Sequence, residues 1–168
     1  MTGKILIACI GNIFLGDDGF GVEVARRLSQ RKLPTDVVVK DFGIRGFDLA
    51  SALIEPWDLV IMVDAMSRGS EPGNIYIMEL NDECSAPTEP MNAHGLHPAR
   101  ALDLARTMGE VSARVLLVGT EPAELGGEDG QMGLSPIVAS VVEPACDVIE
   151  EIADKFLTTG KIKQGVAV

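Results

Sequence analysis

The chain has 168 residues and a formal net charge of −11, with 46% apolar, 23% charged and 4% aromatic residues. That size suits one domain able to bury roughly two-thirds of the surface its unfolded chain exposes. The acidic balance and the few rings argue against nucleic acid, which needs a basic footprint and stacking partners, and against anionic membrane surfaces. No apolar run approaches the roughly 20 residues that span a bilayer. The N-terminal MTGKILIAC has one lysine and no small-residue cleavage site, so it reads as a first strand rather than a signal peptide. Cys9, Cys84 and Cys146 are odd in number and far apart. They read as the reduced thiols of a cytoplasmic protein, with Cys9 and Cys146 in the core. Much of the acid falls in 79–89 and 121–129, which read as solvated loops.

In chain order, strands and helices alternate. Residues 4–10 (KILIACI) form a continuous apolar run, the mark of a strand covered on both faces. A helix over 19–30 follows, with Val22, Val24, Ala25 and Leu28 on its buried side. Residues 36–41 give a second strand, 46–54 a second helix and 58–64 (DLVIMVD) a third strand. A turn at SRGSEPGN leads to a fourth strand over 74–79, whose alternation fits a sheet edge. A helix over 97–108 has Pro98 in its first turn, and 113–119 (ARVLLVG) is the fifth strand. The last helical region spans 135–157, capped by Ser135 and Pro136, and Pro144 predicts a kink or a split within it. Residues 1–157 are expected to form the single domain, and 158–168 a frayed tail. The pattern predicts an α/β fold with a mostly parallel sheet.

Two long loops remain, 80–96 and 120–133, and long loops in small domains are more often functional than idle. Open α/β sheets place their sites beyond the carboxyl ends of the strands. There the sequence puts Asn12, Asp17 and Asp18 after strand one, Asp41 after strand two, Asp64 after strand three, and Thr120 and Glu121 after strand five. His94 lies in the long loop, three residues before His97. An aspartate before a helix is commonly only a cap, Asp64 suits a turn, and a lone loop histidine suits a surface. Two adjacent aspartates among Gly16, Gly19 and Gly21 are harder to dismiss. Together the carboxylates and the imidazole make a mixed oxygen and nitrogen site for a divalent ion such as zinc, nickel or iron. A nucleotide site is disfavoured: neither G-x-G-x-x-G nor G-x-x-x-x-G-K-[ST] follows the first strand.

At these residues the sequence resembles the hydrogenase maturation endopeptidases, which process the large subunit of nickel–iron hydrogenases. ILIACIGNIFLGDDGFGVEVARRL, DFGIRGFDLASAL, WDLVIMVDAM, EPGNIYIMEL, NAHGLHPARALDLA, RVLLVGTEP and GLSPIVASVVEPACDVIEEI carry the resemblance over residues 4–153. It implies a three-layer α/β sandwich with helices on both faces of a five-stranded sheet. One strand is antiparallel, and strand 74–79 is the candidate. It implies a metal-recognising and catalytic set of Asp18, Asp64 and His94, with Asp17 capping the helix or holding the loop. Asp17→Asn should then be milder than Asp18→Asn, since asparagine caps helices about as well as aspartate. Gly43 and Gly46 would shape the substrate channel, and His97 would be only a helix-start residue. The implied activity is removal of a C-terminal peptide from the nickel-loaded precursor, by a protease of aspartyl or metal-dependent type. Nickel is expected to come with the substrate, with no organic cofactor and a monomeric enzyme. A resident catalytic metal is the second mechanism, although HExxH and GxSxG are both missing. The alternatives are a nickel chaperone or assembly scaffold with the same ligands and no peptidase activity, and a metal-dependent hydrolase of small molecules.

Overall fold

The computed structural model describes residues 3–81 and 96–162. Five strands form one sheet: β1 (Ile5–Ile10), β2 (Val37–Gly43), β3 (Leu59–Ala65), β4 (Ile75–Glu79) and β5 (Arg114–Thr120). Their order is β2-β1-β3-β5-β4, all parallel except β4, which runs antiparallel to β5. The helices are α1 (Phe20–Leu28), α2 (Gly46–Leu53), α3 (Pro98–Met108), α4 (Pro136–Ala139) and α5 (Val142–Thr159).

The period of two along each strand sorts the core into two layers. Ile5, Ile7 and Cys9 pack with Phe20, Val24 and Leu28 of α1 and with Cys146 and Ile149 of α5. Leu6, Ala8 and Ile10 pack with Leu49 and Leu53 of α2 and with Leu102 and Ala105 of α3. Every residue of β1 and β3 is buried, as their unbroken apolar runs require. Cys9 and Cys146 are buried free thiols. Burial raises the Cys9 thiol far above its ordinary range and pushes Cys146 up to about 11.

The boundaries depart from expectation in a few places. The first helix does not start at 19: Gly16–Gly19 form a single 3-10 turn, α1 begins at Phe20, and Val22 is only half-buried. The last helical region splits, as Pro144 predicts, but the break falls earlier, at Ser140 and Val141. Pro144 sits third in α5, where a backbone N–H has no helical partner to lose, so the ring starts the helix instead of kinking it. Ser135 caps α4 and Pro136 opens it. α5 runs two residues past the expected end, to Thr159, and stops at Gly160 in the left-handed conformation. Outside the sheet, Arg27 of α1 and Arg31, just past its end, grip Glu143, Asp147 and Glu150 of α5.

Candidate active site

The strand order reverses at β1: α1 leads to β2 on one side, and β3 lies on the other. The crevice beyond the carboxyl ends of β1 and β3 is therefore the topological switch point, where ligands of such sheets gather. Asp18 enters it from the 3-10 turn after β1, and Asp64 is the penultimate residue of β3.

The turn is folded tightly. Gly11 leaves β1 with φ 155°, and a Cβ there would lie 2.1 Å from the Asp18 carbonyl oxygen. Gly21 allows α1 to sit against the strand ends, because a Cβ would meet the Ile10 and Val63 carbonyl oxygens at 2.1 and 2.6 Å. The Asn12 amide donates to Asp18 Oδ2 at 3.0 Å, and the Phe14 amide donates to Asn12 Oδ1 at 2.9 Å. Asp18 is thereby aimed inward and is 8% exposed.

The two adjacent aspartates have different surroundings. Asp17 is fully buried and makes no cap to α1. Its Oδ2 accepts from the Ala123 and Glu124 amides, both at 2.8 Å, and from the Ser135 hydroxyl at 2.9 Å. Its Oδ1 accepts from the Ser135 amide at 2.7 Å. Of the two expected roles, holding the loop is the one the structure shows, and the loop held is the distant segment 121–135.

Asp64 is 4% exposed, and its Oδ1 is buried without a hydrogen-bond partner among the described residues. Burial raises its pKa well above the ordinary carboxylate value; the Asp18 charge adds to this, against a bond from the Ala65 amide. Asp64 stands opposite Gly119 of β5, which stands opposite Tyr76 of β4. Gly119 is required because a Cβ would lie 2.5 Å from the Tyr76 ring. The Tyr76 hydroxyl donates to the Met66 carbonyl at 3.0 Å, and burial, then the Asp64 charge, raise its pKa. The Arg68 guanidinium lies 4.7 Å from the centre of the same ring.

Glu121 is not part of a solvated acidic loop. It is 4% exposed and accepts from the Ser67 hydroxyl, the Arg68 amide and the Ser70 hydroxyl. Burial alone would raise its pKa; the Arg68 amide and the two hydroxyls outweigh burial and hold it below the ordinary value. It fixes the loop that follows Asp64. The Thr120 hydroxyl is buried without a partner among the described residues, but it follows Leu116 and Val118 onto the α1/α5 face, away from Asp64.

His94 lies outside the described residues, and among those described no three histidine, cysteine or acidic side chains form a metal-holding group. His97 caps α3, its Nδ1 accepting from the Ala99 amide at 3.1 Å. Gly43 adopts φ 54° and its carbonyl accepts the Gly11 amide, which puts the DFGIRG segment beside the exit of β1. No local pattern singles out Tyr76, since only the order β3-β5-β4 brings residue 76 near residue 64.

The model of the HycI hydrogenase maturation protease family matches residues 22–152. The chain belongs to that family. The matched span contains Asp64 and His94 and starts just after Asp18. The hydrogenase 2 maturation protease of Escherichia coli is 31% identical over 147 residues, 87% of this chain and 88% of that one. The solved structure of the hydrogenase maturating endopeptidase HybD from E. coli superposes with a TM-score of 0.75 at 30% identity, covering 93% of this chain and 94% of that one. The HycI maturation protease of Thermococcus kodakarensis superposes with a TM-score of 0.68 at 28% identity, covering 90% and 93%. The protein is thus an endopeptidase of hydrogenase maturation, with the family's five-stranded mixed sheet.

Proposed function

We propose that this maturation protease removes a C-terminal peptide from the nickel-loaded precursor of a nickel–iron hydrogenase large subunit, and that Asp18, Asp64 and His94 recognise the metal and carry the cleavage. The observation that carries this reading is the state of Asp64. A buried carboxylate oxygen with no donor among the described residues, in the field of a second carboxylate, is costly alone and is satisfied by a cation. Two carboxylates and an imidazole suit a borderline divalent ion such as nickel. The ion is read as arriving with the precursor, because Asp18, Asp64 and His94 are hard or borderline ligands with no thiolate among them to retain it. Bound there, it polarises the scissile carbonyl or activates the attacking water, and a carboxylate oxygen beside it accepts the water proton. The reaction needs no organic cofactor. Buried, unpaired Cys9 and Cys146 are consistent with the cytoplasm, where the precursor would be met.

The test is incubation with nickel-loaded and nickel-free precursor, read by mass spectrometry. Loss of a C-terminal peptide from the loaded form alone is expected. Asp18→Asn should abolish the loss and Asp18→Glu should retain part of it. Equal cleavage of both precursors would remove nickel recognition. A precursor that binds but is never cut would leave an assembly scaffold.

A further inference from the structure

Large apolar side chains are exposed unevenly over this molecule. Five of them, Ile13, Phe14, Ile44, Leu125 and Met132, lie on the loops beyond the strand ends and a sixth, Phe47, in the first turn of α2, while the others among the described residues are scattered over β2, α3 and α4. Phe14 is 62% exposed, Phe47 66% and Met132 67%. Scattered exposed leucines need no explanation, but a concentration of phenylalanine and methionine at one end of a monomeric fold marks an interaction surface.

The six are contributed by three segments that are tied together. The Gln131 amide donates to the Phe14 carbonyl, the Gly16 amide to the Gln131 carbonyl and the Asp17 amide to the Glu124 carbonyl, so segments 13–17 and 124–132 share a short ladder. The Gly11 amide donates to the Gly43 carbonyl, which joins the segment bearing Ile44 and Phe47. The apolar groups thus form an arc held by backbone hydrogen bonds, and Asp18 lies within it, anchored to the Asn12 amide. The arc and Asp18 are built on the same loops, and Asp64 lies at the neighbouring end of β3.

We propose that this arc is the docking surface for the folded body of the precursor, separate from the segment that is cut. The inference rests on the precursor being the substrate. Complementarity names the occupant. Exposed apolar side chains around the acid pair, in a chain of net charge −11, fit a protein face that is apolar at its rim and cationic at its middle. A folded precursor presenting a bound divalent ion has that character. A short flexible tail carries no bound divalent ion to set against the acid pair.

Phe47→Ser and Met132→Ser test this, because both are exposed and neither is in the proposed metal set. Binding of the loaded precursor is measured directly by biolayer interferometry and cleavage by steady-state kinetics. Each variant should weaken binding and raise KM by about tenfold, the scale of an interface anchor, with kcat and thermal unfolding unchanged. A synthetic peptide spanning the cleavage site should not compete with the precursor. Variants that bind like wild type would overturn the docking surface while wild-type cleavage still upheld the substrate. A peptide that competes fully, and whose binding falls equally in the variants, would assign the arc to the tail. A wild-type dimer that the substitutions dissolve would assign it to a second copy of this chain. Wild type that neither binds nor cuts the precursor would overturn the substrate itself.

Discussion

Asp17 and Asp64 are both buried carboxylates, and their environments are opposite. Four donors converge on Asp17, so its carboxyl oxygens are satisfied. Asp64 has one amide on its carboxyl, an Oδ1 without a partner among the described residues and the Asp18 charge nearby, so ionisation costs stability. Two outcomes follow from this contrast. Asp17→Asn must turn an NH2 toward N–H donors, and the tolerance expected of a simple cap does not apply. It should lose about 1–3 kcal/mol in urea denaturation, the usual penalty for unsatisfied buried groups. Asp64→Asn should do the reverse, raising Tm at pH 7 while abolishing cleavage. The sign comes from linkage: a carboxyl whose pKa is raised by folding destabilises the fold at every pH above its ordinary value of 3.8. The gain should shrink as pH falls and vanish below that value, where both states are protonated. Thermal scans of both proteins between pH 3 and 8 give the check.

Among the elements, α1 is held closest to the sheet, and Gly21 is the reason. A Cβ at that position meets backbone carbonyls of β1 and β3, neither of which can turn aside. Gly21→Ala should therefore cost about 3 kcal/mol or more in chemical denaturation and lower cleavage, since a displaced α1 moves the turn that carries Asp18. Gly127→Ala, where nothing lies within 4 Å, should change neither. Much at this scale was legible beforehand. The apolar runs of β1, β3 and β5 marked buried strands, the alternation of β4 marked an edge, and Pro144 marked a break in the last helix. The position of that break was not legible, because a proline tolerates the first turn of a new helix as readily as it disrupts an old one. Asp18 and Asp64 were legible from their place at strand ends. Glu121 was also at a strand end, but its charge suggested solvent. Its burial depends on Ser67 and Ser70, about fifty residues away, and no local pattern carries such a contact.

For the whole molecule, a question is whether the metal belongs to enzyme or substrate. The purified protein is expected to contain little metal by elemental analysis. Chelator treatment followed by chelator removal should leave the rate on nickel-loaded precursor nearly unchanged. Loss of activity with recovery on added zinc would instead give the protein a resident catalytic ion. No helix of the described residues is long and apolar enough to cross a membrane.

The strand order also sets a timetable for synthesis. β4 is made before β5, yet β5 is its neighbour in the sheet and stands between it and β3. Until residues 114–120 leave the ribosome, β3 has an open edge and β4 has no place in the sheet. The turn bearing Asp18 waits longer still, because the groups that hold Asp17 are at Ala123, Glu124 and Ser135. The acid pair is therefore set only when most of the chain has emerged. A nascent copy passes through synthesis without this acid pair fixed in place, and a copy truncated before Ser135 lacks two of the four hydrogen bonds that hold Asp17.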